Sequence, residues 1–393
     1  MTTVQTFAAD DSTHAVMRVC SITPHLPPEQ AANALLPRQL GDELASHGVT
    51  TIYVAHPPAS GVPAPASPGT AYVARRGRGV LARTRAGALL AAVRMTRGAA
   101  ASIRSADLVH LHGNGFIVET ARFLAERWRK PYVITLYGTD VWHHDPGRHR
   151  RFASVVHGAR HRIFYSQGLL EFARPLGLAA EPSSVIYAPV PPTFLAPASE
   201  VRAALRRELG VGEAPLLLTV KRLHEVAGHD VLLRALTFVA RGRPDVVLWI
   251  VGEGDRRAAL EAQVRDLGLG SRVRFLGMLG NETLWRLYAA ADLFVLPSRL
   301  ESWGTVMLES LACGTRVVAT DTVGGYEVHA HFPEDVMLAP RENPEALAAA
   351  IARALAGLGR VGEATAIGLR AEFSVAGCAA RYLGIYRSVL HAG

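Results

Sequence analysis

The sequence predicts an α/β protein built from two doubly wound parallel sheets. Two observations support this class: short β-rich apolar runs alternate with longer helical Ala/Leu/Arg segments, and this alternation occurs twice, on either side of a proline-rich segment. The 393 residues are enough for two domains with separate cores. With 49% hydrophobic and 19% charged residues, the composition excludes the disordered and fibrous classes.

The first series of strands lies before the proline-rich segment. Strands are predicted at Met17–Ile22, Thr50–Val54, Leu108–Leu111, Tyr132–Leu136, Arg162–Tyr165 and Ser184–Ile186. Helices are predicted between them, for example at Leu35–His47 and Phe116–Trp128. Prolines fix φ and remove backbone donors, so Tyr187–Pro197 continues neither a strand nor a helix. We interpret this segment as the link between two domains.

The second series follows that link. Strands are predicted at Leu216–Val220, Val246–Val251, Val273–Leu276, Leu293–Leu296, Val317–Thr320 and Val336–Leu338. Helices are predicted to begin at His229, Asp255, Glu282, Thr305 and Pro344. We expect one domain over residues 1–190, a second over 191–370, and a helix over 371–393 that packs back towards the first. Because doubly wound sheets bind ligands at the carboxyl ends of their strands, the two domains are expected to face each other across a cleft.

Net charge and cysteine content indicate what the protein binds and where it is located. The net charge of +8 suits a protein that meets phosphate groups. Cys20, Cys313 and Cys378 lie far apart, so neither a disulfide framework nor a CxxC metal site is available, and a cytoplasmic location is expected. The first fifteen residues do not read as a signal peptide, and no apolar run reaches the length that spans a bilayer.

The most informative stretch lies in the second series. Glu301 and Glu309 stand on either side of a predicted helix start, with seven residues between them. The backbone N–H groups of Gly304, Thr305 and Val306 would be the unpaired donors of that start, where a partial positive charge favours a phosphate. Glu309, about one turn further in, can accept hydrogen bonds from both hydroxyls of a ribose. A sugar nucleotide would satisfy both groups.

These residues resemble the retaining GT-B glycosyltransferases of the family-4 type, in which seven residues separate two glutamates. Gly324, Gly325 and Glu327 resemble the family's later Gly-Gly-x-Glu. The resemblance implies GT-B architecture, with two Rossmann-like domains and the donor nucleotide in the second. It also implies that Glu309 binds the ribose, Glu301 binds a hydroxyl of the transferred sugar, and the amides of residues 304–306 bind the phosphates. The alternative is a helix-start charge and a solvated face.

A second part of the resemblance is the segment LLLTVKRLHEVAGHD, from residue 216 to residue 230. The family offers an arginine here and, five residues later, a lysine to the diphosphate. Arg222 matches the first, but Ala227 occupies the second position. Lys221 could compensate, yet neighbours on an extended segment point to opposite faces, and we therefore rank Arg222 above Lys221. The alternative is a solvated basic pair at a strand end.

Two further loops of the second domain are assigned to the donor by the resemblance. Gly252 belongs to the sequence VGEGD after a strand, although strand-to-helix turns also use glycine for conformational reasons alone. Met278 follows another predicted strand and is expected beside the nucleobase. Neither loop distinguishes uracil from guanine.

The first domain departs from the family at two places. Gln30 and Asn33 lie in a loop and helix start where the family often has a glycine pair, and we assign them to the acceptor side. In TLYGTD, Tyr137 replaces the family's histidine; a phenol donates a hydrogen bond but is neutral at pH 7. Tyr137 is a candidate catalytic residue, with simple packing as the alternative, and Asp140 is assigned to the acceptor side.

Histidines and arginines offer weaker signals. His110 and His112 are predicted to share one face at the end of a strand, but no third metal ligand is identifiable, so we assign them an acceptor-side or structural role and expect no metal. Residues 71–106 hold eight arginines and no Asp or Glu. This stretch is typical of a solvated face, and peripheral contact with an anionic membrane is the alternative.

The sequence thus predicts a retaining glycosyltransferase that moves a sugar from a UDP- or GDP-sugar to a small-molecule acceptor, in specialised biosynthesis, with no metal or other cofactor. Glu301, Arg222 and Tyr137 are the predicted catalytic residues. Two alternatives stay open: a lipid-linked acceptor at a membrane surface, and a non-catalytic module that binds nucleotide sugars. No GxGxxG follows the first strand, which disfavours a dinucleotide oxidoreductase. Nucleic-acid binding would rest on charge alone and is not expected.

Overall fold

Two series of parallel strands and helices make up the structure, a computed structural model that describes residues 16–27, 32–58, 69–73, 84–357 and 359–392. Each series forms its own sheet. The predicted α/β class with two doubly wound sheets is therefore confirmed.

The first sheet has seven strands in the order β3-β2-β1-β4-β5-β6-β7. The strands are β1 Met17–Ile22, β2 Val49–Ala55, β3 Thr70–Tyr72, β4 Leu108–His112, β5 Tyr132–Leu136, β6 His161–Phe164 and β7 Ser183–Val185. The pairs β1–β2, β1–β4, β2–β3 and β6–β7 are parallel. Strands β4 and β5 are buried along their whole length, as expected where helices cover both faces of a parallel sheet.

Six helices accompany these strands among the described residues. They are α1 Ala32–Ala45, α2 Arg85–Ser105, α3 Phe116–Arg127, α4 Thr139–Trp142, α5 Arg150–Gly158 and α6 Gln167–Ala173. In α2, Met95, Ala99 and Ile103 are buried, whereas Arg94, Arg97 and Arg104 are exposed. This spacing of three and four residues separates an apolar face from a basic face.

The second sheet has six strands in the order β10-β9-β8-β11-β12-β13, and every neighbouring pair is parallel. The strands are β8 Leu216–Val220, β9 Val247–Val251, β10 Val273–Gly277, β11 Leu293–Leu296, β12 Val317–Thr320 and β13 Val336–Ala339. The accompanying helices are α7 Ser199–Glu208, α8 His229–Gly242, α9 Arg257–Asp266, α10 Asn281–Ala290, α11 Thr305–Ala312, α12 Val323–His331, α13 Pro344–Ala356, α14 Glu363–Glu372 and α15 Val375–His391. Aliphatic side chains from the strands, α8 and α13 form its core.

By its contacts the chain divides into two compact units. One holds the described residues up to 134, with 154–161 and 383–392; the other holds residues 135–153 and 162–382. In the first unit the Tyr386 hydroxyl of α15 lies 2.7 Å from the His110 Nδ1 of β4. The domain limits at residues 190 and 370 differ from this division and stay a prediction.

All three cysteines are free and buried. Burial raises the pKa of the Cys20, Cys313 and Cys378 thiols well above the ordinary value, so each thiol is protonated at neutral pH. No helix in the described parts of the chain combines the length and the apolar character that a membrane span requires.

Candidate active site

The order of the second sheet marks where a ligand is expected. Strand β8 has β9 on one side and β11 on the other, so the strand order reverses beside it. Doubly wound sheets bind ligands at the carboxyl ends of the strands at such a reversal. Lys221 directly follows β8, and Ser298 and Glu301 closely follow β11. The topology therefore brings Lys221 and Glu301, both predicted site residues, to the expected edge of the sheet, together with Ser298, which was not predicted.

At this edge Lys221 and Glu301 form an ion pair. The Lys221 Nζ donates to the Glu301 Oε2 and, at 2.9 Å, to the Ser298 hydroxyl. The Glu301 Oε1 accepts a hydrogen bond from the Ser302 amide at 3.2 Å. The side chains of Lys221 and Glu301 are 20% and 16% exposed, so the pair is partly withdrawn from water yet still reachable by a ligand.

Helix α11 begins beside this pair. Gly304 precedes its first residue with φ +74°, a left-handed conformation that favours glycine, and no side chain caps the helix start. A Cβ at position 304 would lie 3.2 Å from the Glu301 Cγ, so the glutamate packs directly against the helix start. The predicted phosphate-binding amides of Gly304, Thr305 and Val306 thus lie next to a carboxylate that a lysine neutralises.

Glu309 lies in the second turn of α11 and is half-buried. Its Oε2 accepts a hydrogen bond from the Tyr288 hydroxyl at 3.0 Å. Burial raises the pKa of this carboxyl to about 7, although the hydrogen bond from Tyr288 opposes that shift. The Glu309 carboxyl therefore titrates near neutral pH.

The other predicted donor residues differ in exposure. Arg222 is exposed, whereas Lys221, the lower-ranked residue, is partly buried and contacts Glu301. Gly252 has φ +133°, and a Cβ there would lie 2.1 Å from the Lys221 carbonyl oxygen, so the loop after β9 packs tightly on this segment. Met278 is 61% exposed after β10. The donor roles of Arg222, Gly252 and Met278 stay predictions.

The loop after β5 lies against the segment that follows Glu301, within the same unit. The Ser302 hydroxyl donates to the Tyr137 carbonyl oxygen at 3.1 Å. The Tyr137 ring is buried, 5.2 Å from the ring of Tyr165, and the Tyr137 amide donates to the Asp140 carboxylate at 2.8 Å. Asp140 is itself buried, and burial raises its pKa to about 6. These contacts fit packing and loop support, and the catalytic and acceptor-side roles stay predictions.

Glu327, in α12, was identified only as part of a motif, and the structure gives it contacts. Its carboxylate accepts hydrogen bonds from the amides of Gln167 and Gly168 at 2.6 and 3.1 Å and from the Tyr187 hydroxyl at 2.7 Å. The ring of Tyr187 stacks on that of Trp303 at 4.2 Å. Glu327 is therefore connected, through Tyr187, to the residue immediately before Gly304. No sequence spacing signals these contacts, because their partners lie 140 to 160 residues from Glu327.

The remaining acceptor-side candidates lie elsewhere. His110 and His112 are buried in the first unit with ring centroids 3.8 Å apart, and burial lowers both pKa values, that of His112 to about 3. Both rings are neutral at physiological pH, and their contacts are those of an interior pair. Gln30 and the side chain of Asn33 lie outside the described residues. Among the residues that the structure describes, no three His, Cys, Asp or Glu side chains cluster in a way that could hold a metal ion.

Two family models match the chain. One, Glycosyltransferase Family 4, matches residues 36–218, and the other, Glycosyl transferases group 1, matches residues 201–360. Two parallel sheets with flanking helices, together with the likeness to solved structures given below, show that the chain has the GT-B class of fold. Since the two matches overlap at residues 201–218 and together span residues 36–360, the chain belongs to the group 1, family-4 glycosyltransferases.

Individual relatives agree with this assignment. A D-inositol 3-phosphate glycosyltransferase from Segniliparus rotundus is 35% identical over 208 residues, which are 49% of this chain and 44% of the relative. Sucrose-phosphate synthase from Thermosynechococcus elongatus superposes with a TM-score of 0.78 at 22% identity, over 96% of this chain and 100% of that chain. HepE from Anabaena, solved in complex with UDP and glucose, gives 0.77 at 20% identity, over 95% and 100%. The structural likeness shows the fold. The matches to the curated relatives span less than half of their length.

Proposed function

We propose that this protein transfers a glycosyl group from a UDP- or GDP-sugar to a small-molecule acceptor, with retention of configuration at the anomeric carbon. Its membership of the group 1, family-4 glycosyltransferases supports the reaction class. The match to a D-inositol 3-phosphate glycosyltransferase supports a small polar acceptor, and the complex of HepE with UDP and glucose supports a nucleotide-sugar donor.

One observation carries the proposal: two glutamates bracket an uncapped helix start at the strand-order reversal of the second sheet. Glu301 packs against Gly304 with a lysine beside it, and Glu309 lies half-buried in the second turn of the same helix. Phosphates suit the helix start, and a carboxylate suits a ribose diol. A nucleoside-diphosphate sugar combines these groups in one molecule.

The proposed chemistry depends on stabilising the leaving diphosphate. The bond between the anomeric carbon and the phosphate oxygen breaks, and a bond from the acceptor oxygen to that carbon forms on the same face. The acceptor proton passes to the departing phosphate oxygen, so the products are the glycoside and the nucleoside diphosphate. Positive groups aimed at that oxygen lower the barrier. The amides of residues 304–306, with Lys221 and Arg222, supply that charge in this scheme, and no metal ion is required.

Nucleotide binding tests the site. Calorimetry with UDP, GDP and ADP on the full chain should show that one diphosphate binds, and that Glu309→Gln binds it roughly tenfold or more weakly, because an amide accepts fewer hydrogen bonds than a carboxylate. Glu345→Gln is the matched control, since Glu345 is an exposed glutamate in the first turn of α13. Equal affinity of Glu309→Gln and wild type would contradict the assigned ribose contact.

Donor turnover tests the reaction itself. Wild type should release the diphosphate slowly from its cognate sugar nucleotide even without an acceptor, and an NMR time course should show the freed sugar first in the anomeric form of the donor. EDTA should leave the rate unchanged. Tight binding with no turnover would support the non-catalytic binding module instead, and first release of the opposite anomer would contradict retention.

A further inference from the structure

The cation beside Glu301 is of a type that this chain almost never uses. The chain has 42 basic residues, of which 40 are arginines; the two lysines are Lys130 and Lys221. A lysine ammonium is a compact charge on a flexible stem with three donors, whereas a guanidinium is a larger planar fork. At position 221 the lysine therefore provides a small, partly buried ion that can serve several partners.

The contacts of Lys221 leave room for another partner. Two of its donors serve the Glu301 carboxylate and the Ser298 hydroxyl. Within the described parts of the chain, the third ammonium donor has no partner. Glu301 in turn packs against Gly304, at the helix start where the proposed function places the diphosphate. Lys221 thus lies beside the proposed phosphate site.

The neighbouring charged and titratable groups leave Lys221 as the cation beside Glu301. His229, the first residue of α8, is buried, and burial together with the charge of Lys221 lowers its pKa to about 4. Its ring is therefore neutral at pH 7. Arg222 is exposed, and Arg299 is paired with Asp230 and Glu342. If Lys221 were neutral, the Glu301 carboxylate would repel an incoming diphosphate.

We propose that Lys221 bridges the Glu301 carboxylate and the diphosphate of the donor, so that one ammonium links sugar recognition to phosphate recognition. This inference rests on the proposed function. In the bridge, Glu301 holds the ammonium in position, and the remaining donor of the ammonium binds a diphosphate oxygen. The lysine shields the two anions from each other and would also stabilise the diphosphate as it leaves.

The test removes Lys221 from a variant in which Glu301 has already been replaced by the neutral glutamine. In the Glu301→Gln background no ion pair remains, so any further effect of Lys221→Met on a phosphate ligand reports contact with that ligand. Calorimetry should show that Lys221→Met/Glu301→Gln binds UDP or GDP, whichever wild type prefers, roughly 10- to 100-fold more weakly than Glu301→Gln. Affinity for uridine or guanosine, which lack phosphate, should not change. Lys130→Met, which removes the other lysine, should bind as wild type does.

Each other outcome overturns the inference. Equal diphosphate affinity of Glu301→Gln and the double variant would mean that Lys221 only neutralises Glu301, while the proposed function survives. An equal loss for nucleoside and diphosphate would mean a general structural defect. If wild type binds no nucleoside diphosphate, the proposed function fails and takes the bridge with it. Circular dichroism checks the fold, and Lys221→Gln, which keeps a donor for Ser298, replaces the methionine variant should that one unfold.

Discussion

Glu309 shows how burial of a single carboxyl gives the site a dependence on pH. Its partner Tyr288 is fully buried, and the hydrogen bond between them holds the carboxyl in the second turn of α11. With a pKa near 7, the group is ionised above neutral pH and protonated below it. Ribose hydroxyls donate their hydrogen bonds, so they favour the ionised form.

Nucleotide affinity should therefore rise with pH. If only the ionised Glu309 accepts the ribose hydroxyls, affinity should increase about tenfold between pH 6 and pH 8, the direction set by a pKa that burial raises. Calorimetry at several pH values in matched buffers measures this. Glu309→Gln serves as the control, because it should retain only the pH dependence of the nucleotide's own phosphate. An affinity that falls with pH in wild type would contradict the ionisation assigned to Glu309.

For single residues, the sequence predicted which residues lie close along the chain better than it predicted which side chains contact each other. Glu301, Gly304 and Glu309 were identified because seven intervening residues and a helix start are local features. The contact of Lys221 with Glu301 could not be predicted this way: alternation along a strand indicates that neighbours diverge, but not which of them lies beside Glu301.

Among the elements, the start of α11 is tightly constrained. Gly304 adopts a left-handed conformation, and a Cβ there would lie 2.5 Å from the Met307 Cε as well as against Glu301. Because a displaced Glu301 would also move the ion pair, a change at Gly304 should affect ligand binding as well as folding.

Gly304→Ala should thus lower both stability and affinity. We expect a loss of about 1–2 kcal/mol in stability from the strained backbone and at least severalfold weaker binding of the nucleoside diphosphate. Thermal unfolding and calorimetry measure the two effects. Gly242→Ala, in the last turn of α8 where a Cβ meets nothing within 4 Å, is the matched control: it should leave the affinity unchanged and should not lower stability, because alanine favours a helix over glycine. Normal affinity in folded Gly304→Ala would show that the helix start does not hold the phosphates.

Strands and helices were predictable where their apolar residues are buried in the core. Of the second-series strands, β8, β11 and β12 match their predicted bounds, and α8, α11 and α13 begin at the predicted residues. Strand β3 was missed because three residues carry no periodicity. Helices α7, α12 and α14 of the second series were not predicted either. The strands and the helix that form the edge where the donor is expected, β8, β11 and α11, were all predicted.

For the whole molecule, the donor site is assigned to one of the two units. All residues of the proposed site, from Lys221 to Glu309, belong to the unit that holds residues 162–382. The buried pair of His110 and His112 belongs to the other unit. Binding of a nucleoside diphosphate alone should therefore slow amide hydrogen exchange near these residues and not in the other unit.

Hydrogen exchange measured peptide by peptide should locate the nucleotide site. Saturating diphosphate should slow amide exchange in peptides covering residues 221–229 and 298–306, because ligand contacts suppress local opening. Peptides covering residues 338–356, which include the exposed start of α13, serve as the internal reference and should be unchanged. Protection restricted to residues 108–134 would place the nucleotide in the other unit and contradict the site.

The three buried cysteines have a practical consequence for such experiments. A thiol that is protonated and shielded from solvent reacts slowly with maleimides and other alkylating reagents. A fourth cysteine placed on an exposed helix would then be the preferred point of attachment for a fluorophore or spin label, with the native three left in place. With a fifth cysteine on a second exposed helix, the distance between the two probes would report movement within the protein when a nucleotide is added.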